Sequence, residues 1–214
     1  IRPVQKIFGP GNAWVVEAKR QAFGRVAVDL LPGPSEVLVI ADATANPAWI
    51  AADLLAQSEH GHGSAAILLT DSSKILAAVE KSLSKQIKLS KRPKELASAL
   101  KNASLILVED MESAIRIANA YAAEHVSIAT SRPGEIALQL TTTGAIFLGG
   151  ISPVVGGDFL AGPSHELPTG GAGKSFAGLT ADQFQRRTSV VMFDEPSLRA
   201  SRPYLETFSE IEGL

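Results

Sequence analysis

Short apolar runs of strand length alternate along this chain with stretches whose apolar residues recur every three or four positions. That alternation predicts α/β units around a mostly parallel sheet. Residues 25–31, 37–41, 65–69, 105–108, 125–129 and 145–148 read as strands, and 13–23, 73–83, 93–100 and 111–123 as helices. In the first helix Glu17, Lys19 and Arg20 mark a polar face. Pro32-Gly33-Pro34-Ser35 is a loop between strands. Asn46-Pro47 opens another helix, with Asn as N-cap and Pro in the first turn; it runs to about His60, where Gly61 and Gly63 stop it. From 149 to 178 Gly, Pro and Ser predominate, with one short helix near Asp158. So long an irregular stretch inside a folded domain signals function. A helix near 181–187, a strand at 189–193 and a polar helical tail from Leu198 complete the pattern.

Composition removes several function classes. The chain has 214 residues and a formal charge of −2, which gives no electrostatic case for nucleic acid or an anionic membrane. Its dense basic stretch, 85–94, reads as a solvated face around a helix break. Without cysteine, any metal must be held by His, carboxylate or amide groups. The apolar runs are too short to span a bilayer. The chain opens on Ile1 rather than Met and shows no leader, so the expectation is a segment of a longer protein with a cytoplasmic address, or an organelle stroma in a plant.

Candidate chemistry centres on four histidines, His60, His62, His125 and His165, all at element ends or in loops. The expectation is that such edges lie outside the carboxyl ends of parallel strands, where α/β proteins place ligands. Gln57 and His60, three apart at a helix end, suit two ligands on one metal; equally they suit a polar helix terminus. Glu124-His125 reads as a general-base pair or as a helix-ending Glu beside a solvated His. Asp158 is a hard ligand or an N-cap, and His165 a ligand or hydrogen-bond donor. Gly170 to Ser175 lacks the glycine a phosphate-binding loop needs, because that place holds Pro168. No Gly-x-Gly-x-x-Gly fingerprint occurs, so a nicotinamide site would be non-standard or lie in other sequence.

Order and wording add what single motifs lack. Gly9-Pro10-Gly11-Asn12, Gly33-Pro34-Ser35-Glu36, Asp53-Leu54-Leu55-Ala56-Gln57-Ser58-Glu59-His60, Ala123-Glu124-His125 and Gly157-Asp158-Phe159-Leu160-Ala161-Gly162-Pro163-Ser164-His165 follow one another. This series resembles the C-terminal half of the histidinol dehydrogenase family, from Lys6 through Val191 at least. The resemblance implies oxidation of L-histidinol through histidinal to L-histidine with two NAD, the last steps of histidine biosynthesis, with one zinc per subunit that positions substrate. It implies zinc on Gln57, His60 and Asp158, and catalysis by Glu124 and His125. It places Ser35, Gln57, His60, His125, Asp158, His165 and Glu212 at the substrate and Asn12 at NAD. The implied fold is α/β: a Rossmann-like parallel-sheet domain at 36–167, with 1–35 and 168–214 as parts of a second, incomplete α/β domain, the latter carrying the helical C-terminal tail.

The sequence departs from the family at Ala123, where the family has Pro, and at Ser164, where it has Asn. The family's fourth zinc ligand, a histidine, would fall just after Leu214, and most NAD contacts lie in a half that these residues do not include. The resemblance therefore implies a homodimer in the full-length protein and no activity from the 214 residues alone. Two alternatives remain at this stage: a paralogue that oxidises another amino alcohol or alcohol, and a non-catalytic binding module on the same fold.

Overall fold

A computed structural model describes residues 2–59, 63–162 and 165–214, with the side chains of Glu95, Ala97, Ala99 and Asp158 outside that description. His60, His62 and Ser164, singled out above, lie outside the described residues. Residues 1–180 form one compact unit and 181–214 a second.

The core of the first unit is a five-stranded, wholly parallel sheet. Its strands are β3 (Glu36–Ala41), β4 (Ala65–Thr70), β5 (Ala103–Leu107), β6 (His125–Ala129) and β7 (Ala145–Leu148), ordered β5-β4-β3-β6-β7. A two-stranded parallel ribbon, β1 (Lys6–Ile7) with β2 (Ala27–Val28), stands outside it. The order reverses at β3, the doubly wound arrangement of Rossmann-like sheets.

Alternation in the central strand explains the two layers. Val37, Val39 and Ala41 point to one face and pack against α2 (Pro47–Ser58) and α3 (Ser73–Leu89) through Ile50, Leu54, Ile75 and Val79. Leu38 and Ile40 point to the other and meet Ala114, Ile115 and Ala118 of α5 (Met111–Tyr121) and Ile136 of α6 (Pro133–Ala137). Every residue of β3 is buried, as expected of a strand covered on both faces. Each fully buried Val, Leu or Ile contributes roughly 1.5–3 kcal/mol, so this strand anchors whatever hangs from its ends.

Local chemistry sets the helix ends. Asn46 caps α2 by accepting from Ala48 N at 2.9 Å, with Pro47 in the first turn. Asp110 caps α5 through Ser113 N at 2.7 Å. The basic stretch does straddle a break, between α3 and α4 (Pro93–Ala99). Within the irregular stretch, α7 (Val155–Phe159) is the short helix expected near Asp158. Asp158 lies inside it, so the N-cap reading fails; Val154 holds the cap position. No described helix is long and apolar enough to cross a membrane.

Further expectations need correction. The strand expected at 25–31 shrinks to the two residues of β2. Residues 189–193 form no strand: Val190, Val191 and Met192 are 89%, 76% and 93% exposed. A β-rich run becomes a strand only beside another, and among the described residues none pairs with it. Lys19, assigned to a polar face, is 3% exposed on α1 (Ala13–Ala22).

The second unit contains a 3₁₀ turn, Ala181–Phe184, where a helix was expected, and α8 (Glu195–Glu212), capped by Asp194 through Ser197 N at 2.8 Å. Gly213 ends α8 in the left-handed region.

Candidate active site

Strand direction decides where the chemistry sits. Ser35 precedes β3 and His125 opens β6, so both stand at the amino ends of the strands; Val37 lies opposite His125. Helix α2 runs back from the carboxyl edge, which brings its last turn and Gln57 to the same amino edge. The expectation of a site outside the carboxyl ends is therefore corrected. The physical reason is connectivity: residues just before strands, and at the ends of helices that return between them, collect at the amino edge.

A cleft of about 400 Å³ opens there. Ser35, Gln57, Glu124, His125 and His165 all line it, residues from four separate segments of sequence. Pro10 and Gly11 line it as well, with Asn12 one residue beyond. Asn12 caps α1, its side-chain oxygen accepting from Trp14 N at 3.1 Å and Val15 N at 3.2 Å. For Asp158 the backbone is described, in α7, whose neighbours Val155 and Phe159 line the cleft. Glu212 is the exposed last residue of α8 in the 181–214 unit.

The Glu124–His125 pair is held by one peptide unit on each side of Glu36. The Glu36 N–H donates to Glu124 Oε2 at 3.0 Å, while His125 Nδ1 lies 3.2 Å from the Glu36 carbonyl oxygen. A carbonyl only accepts, so Nδ1 carries the proton and Nε2 keeps the lone pair a base needs. Glu124 Oε2 is also 3.5 Å from Nδ1. Both side chains are almost wholly buried. The Phe147 ring lies against the imidazole, centroids 5.9 Å apart and tilted 44°, and fixes its plane.

Sequence reading missed several supporting groups. Glu36 extends its carboxyl beneath the pair, Oε1 accepting from Tyr121 Oη at 3.3 Å and Gly170 N at 3.3 Å. Burial foremost, and the nearby Glu124 charge, push this carboxyl above its ordinary range. Burial and the same Glu36 push the Tyr121 phenol up to about 12. Asp53, one turn before Gln57, lines the cleft and accepts from Val154 N at 3.4 Å, which ties α7 to α2. Burial raises its pKa. Thr169 accepts from Gly33 N through its hydroxyl oxygen and joins the irregular stretch to the loop before Ser35. An acid at 36 directly after Ser35 was visible, but no spacing rule links it to residues almost ninety positions away.

A metal can be judged by what is left over. Gln57 is 3% exposed, and its Nε2 is buried with no hydrogen-bond partner among the described residues. Amide oxygen and nitrogen exchange by a flip, so this orphan end presents a ligand oxygen as readily. Among the described residues no cluster of three His, Asp or Glu gathers to hold a metal, and two of the three expected ligands, His60 and the Asp158 carboxylate, lie outside them.

A wholly parallel α/β sheet, reversed at its first strand and with a small-molecule cleft carrying a buried Glu–His pair, defines a protein of the Rossmann-like class. The comparisons with known proteins narrow the class. The family model for histidinol dehydrogenase matches residues 1–214. The chain is 45% identical over 215 aligned residues to a histidinol dehydrogenase of Bradyrhizobium diazoefficiens, and 42% to one of Heliobacterium mobile, covering 100% of this chain and 50% of each relative. The crystal structure of histidinol dehydrogenase from Elizabethkingia anophelis superposes with a TM-score of 0.94 at 38% identity, over 100% of this chain and 50% of that one. The chain belongs to the histidinol dehydrogenase family, and it spans about half the length of the relatives it matches.

Proposed function

We propose that these residues supply the acid–base half of a zinc-containing, NAD-dependent enzyme that oxidises L-histidinol through histidinal to L-histidine. The observation that carries the reading is the Glu36 peptide grip, which leaves His125 Nε2 as a free base in a cleft with Ser35, Gln57 and His165. Family membership and the named relatives supply the substrate class.

In this reading His125 Nε2 takes the hydroxyl proton of the alcohol as its carbon gives up hydride. Glu124 then takes a proton from the water that attacks the aldehyde, which prepares the second oxidation. Ser35, His165 and, from the helical tail, Glu212 orient the substrate, and Asn12 contacts the nicotinamide cofactor. Gln57, His60 and Asp158 are the residues that would hold zinc; the unpartnered amide end of Gln57 supports that donor set. When bound, zinc supplies a positive centre that orients the alcohol, and NAD accepts hydride. Residues 1–35 and 168–214 belong with a first α/β domain, the site of most NAD contacts. The working unit is a homodimer in the cytoplasm or a plastid stroma.

The test uses the full-length protein. Histidinol should yield two NADH per molecule, and removal of zinc by a chelator should abolish the rate and restoration should return it. Efficient oxidation of an amino alcohol without the imidazole, with histidinol a poor substrate, would replace this reading by that of a paralogue. Ligand binding without any turnover would mark a binding module.

A further inference from the structure

Behind the cleft lies a charge cluster that the reaction does not use. The Lys19 ammonium is almost fully buried, and a buried ammonium is strongly unfavourable unless it is paired. Its partners therefore report what it is for. Nζ donates to Asp29 Oδ1 at 2.7 Å, to the Gly9 carbonyl and, at 3.4 Å, to the Leu30 carbonyl; Glu166 Oε1 lies 3.6 Å away. Asp29, whose side chain is wholly buried, accepts from Gly9 N at 2.7 Å and Leu30 N at 2.6 Å. Gly9 is thus gripped twice, its N–H by Asp29 and its carbonyl by Lys19, at a φ of +117° that glycine tolerates best.

Asp29 and Glu166 share the Lys19 ammonium between them, at 2.7 Å and 3.6 Å. Burial and the adjacent Asp29 raise Glu166, whereas hydrogen bonds from Lys19, Leu30 and Gly9 outweigh burial and lower Asp29. The two acids are thus pushed in opposite directions around one ammonium. Glu166 is itself anchored, its carbonyl accepting from Leu179 N at 3.0 Å. Glu166 lines the cleft beside His165, and Pro10 and Gly11, next to the gripped Gly9, line it as well.

We propose that Lys19, Asp29 and Glu166 form a positioning cluster that holds the 9–12 turn at a fixed separation from the His165 segment, and so sets affinity for the two ligands that meet in the cleft. The identity of those ligands rests on the function proposed above; the cluster's geometry does not. No member need touch a reacting atom. The consequence is a KM effect, with the chemical step left largely alone.

The experiment compares E166Q, E166L and K19M in the full-length enzyme, by steady-state kinetics and amide hydrogen exchange. In E166Q the amide oxygen still faces the Lys19 ammonium, so KM values should stay within about twofold of wild type. In E166L, KM for NAD and for histidinol should rise about tenfold, with kcat within about threefold. K19M should do more of the same or fail to fold, in which case the Glu166 pair decides. Exchange at residues 9–12 should rise in E166L and not in E166Q. The proposal is overturned if E166L lowers kcat with KM unchanged, if E166Q is as impaired as E166L, or if exchange at 9–12 does not move. Should the wild-type enzyme not oxidise histidinol, the function above fails, and the exchange data still decide the cluster.

Discussion

At the carboxyl edge of the five-stranded sheet, Asp42 follows β3 and accepts from Thr44 N and Oγ1 at 2.8 and 2.5 Å and from Ser131 N and Oγ at 2.7 and 2.8 Å. Burial would push that carboxyl up, but these bonds outweigh it and hold it below the ordinary range. At the amino edge of the same strand, Glu36 has an Oε2 atom buried without a hydrogen-bond partner among the described residues, and Gln57 has its Nε2 in the same state. The cavities are alike in size, about 380 Å³ lined by Asp42 and about 400 Å³ lined by Ser35, Gln57 and Glu124. What differs is the chemistry left over. The carboxyl edge retains a Thr130 hydroxyl without a partner among the described residues, but its Asp42 carboxylate is saturated, and Arg132 and Glu135, 3.1 Å apart, are paired and exposed. A buried polar group with nothing to bind costs about 1–3 kcal/mol, so a fold retains it where something else gains from it. Topology alone would have chosen the carboxyl edge, and volume would not have separated the two.

The comparison breaks most readily at the bases. H125N in the full-length protein should lower kcat by about 10²- to 10⁴-fold, and E124Q should slow the second oxidation most, so that the aldehyde accumulates and can be trapped by a carbonyl reagent. D42N should leave kcat unchanged and cost about 1–3 kcal/mol of stability, read from denaturant midpoints. If D42N loses as much activity as H125N, the two edges are not functionally distinct.

A smaller effect is expected at Gly144, which donates to the Ala123 carbonyl between α5 and β7. An added Cβ there would lie 2.6 Å from the Glu124 carbonyl oxygen and 3.2 Å from both Leu167 and Pro168. G144A should therefore cost about 1–3 kcal/mol by overpacking and lower kcat by displacing Glu124. Full activity in a destabilised G144A would show that the Glu36 grip holds the bases without support from below.

The smallest effect concerns pH. Glu36 is raised in the folded protein, so its stabilising contribution is present below about pH 4.5 and is lost as pH rises through the raised value. E36Q keeps the acceptor for Tyr121 and Gly170 and removes that loss. Its advantage over wild type should grow with pH across that window, by at most ~1.4 kcal/mol per pH unit, in unfolding measured from pH 4.5 to 8. Parallel curves would mean that Glu36 titrates normally.

Much of this was legible in the chain. The strands of the main sheet, the Asn46-Pro47 helix start and the break near residue 90 follow from local periodicity and capping, which act over a few residues. The gathering of Ser35, Gln57, Glu124, His125 and His165 was legible only through resemblance, because their separations carry no periodic signal. Lys19 and Val190 misled for one shared reason. A residue's exposure depends on what is brought to it, and Asp29 and Glu166 reach Lys19 from elsewhere in the chain, while no described strand reaches Val190.

The grip on Glu124 and His125 is made by main-chain atoms of Glu36. No single codon change at 36, proline apart, deletes that N–H or that carbonyl. Side chains around the cleft, such as Ser35 and His165, can therefore be exchanged one at a time with the Glu124–His125 pair kept in register. A scaffold of this kind lets substrate preference drift while the capacity for acid–base chemistry is inherited intact.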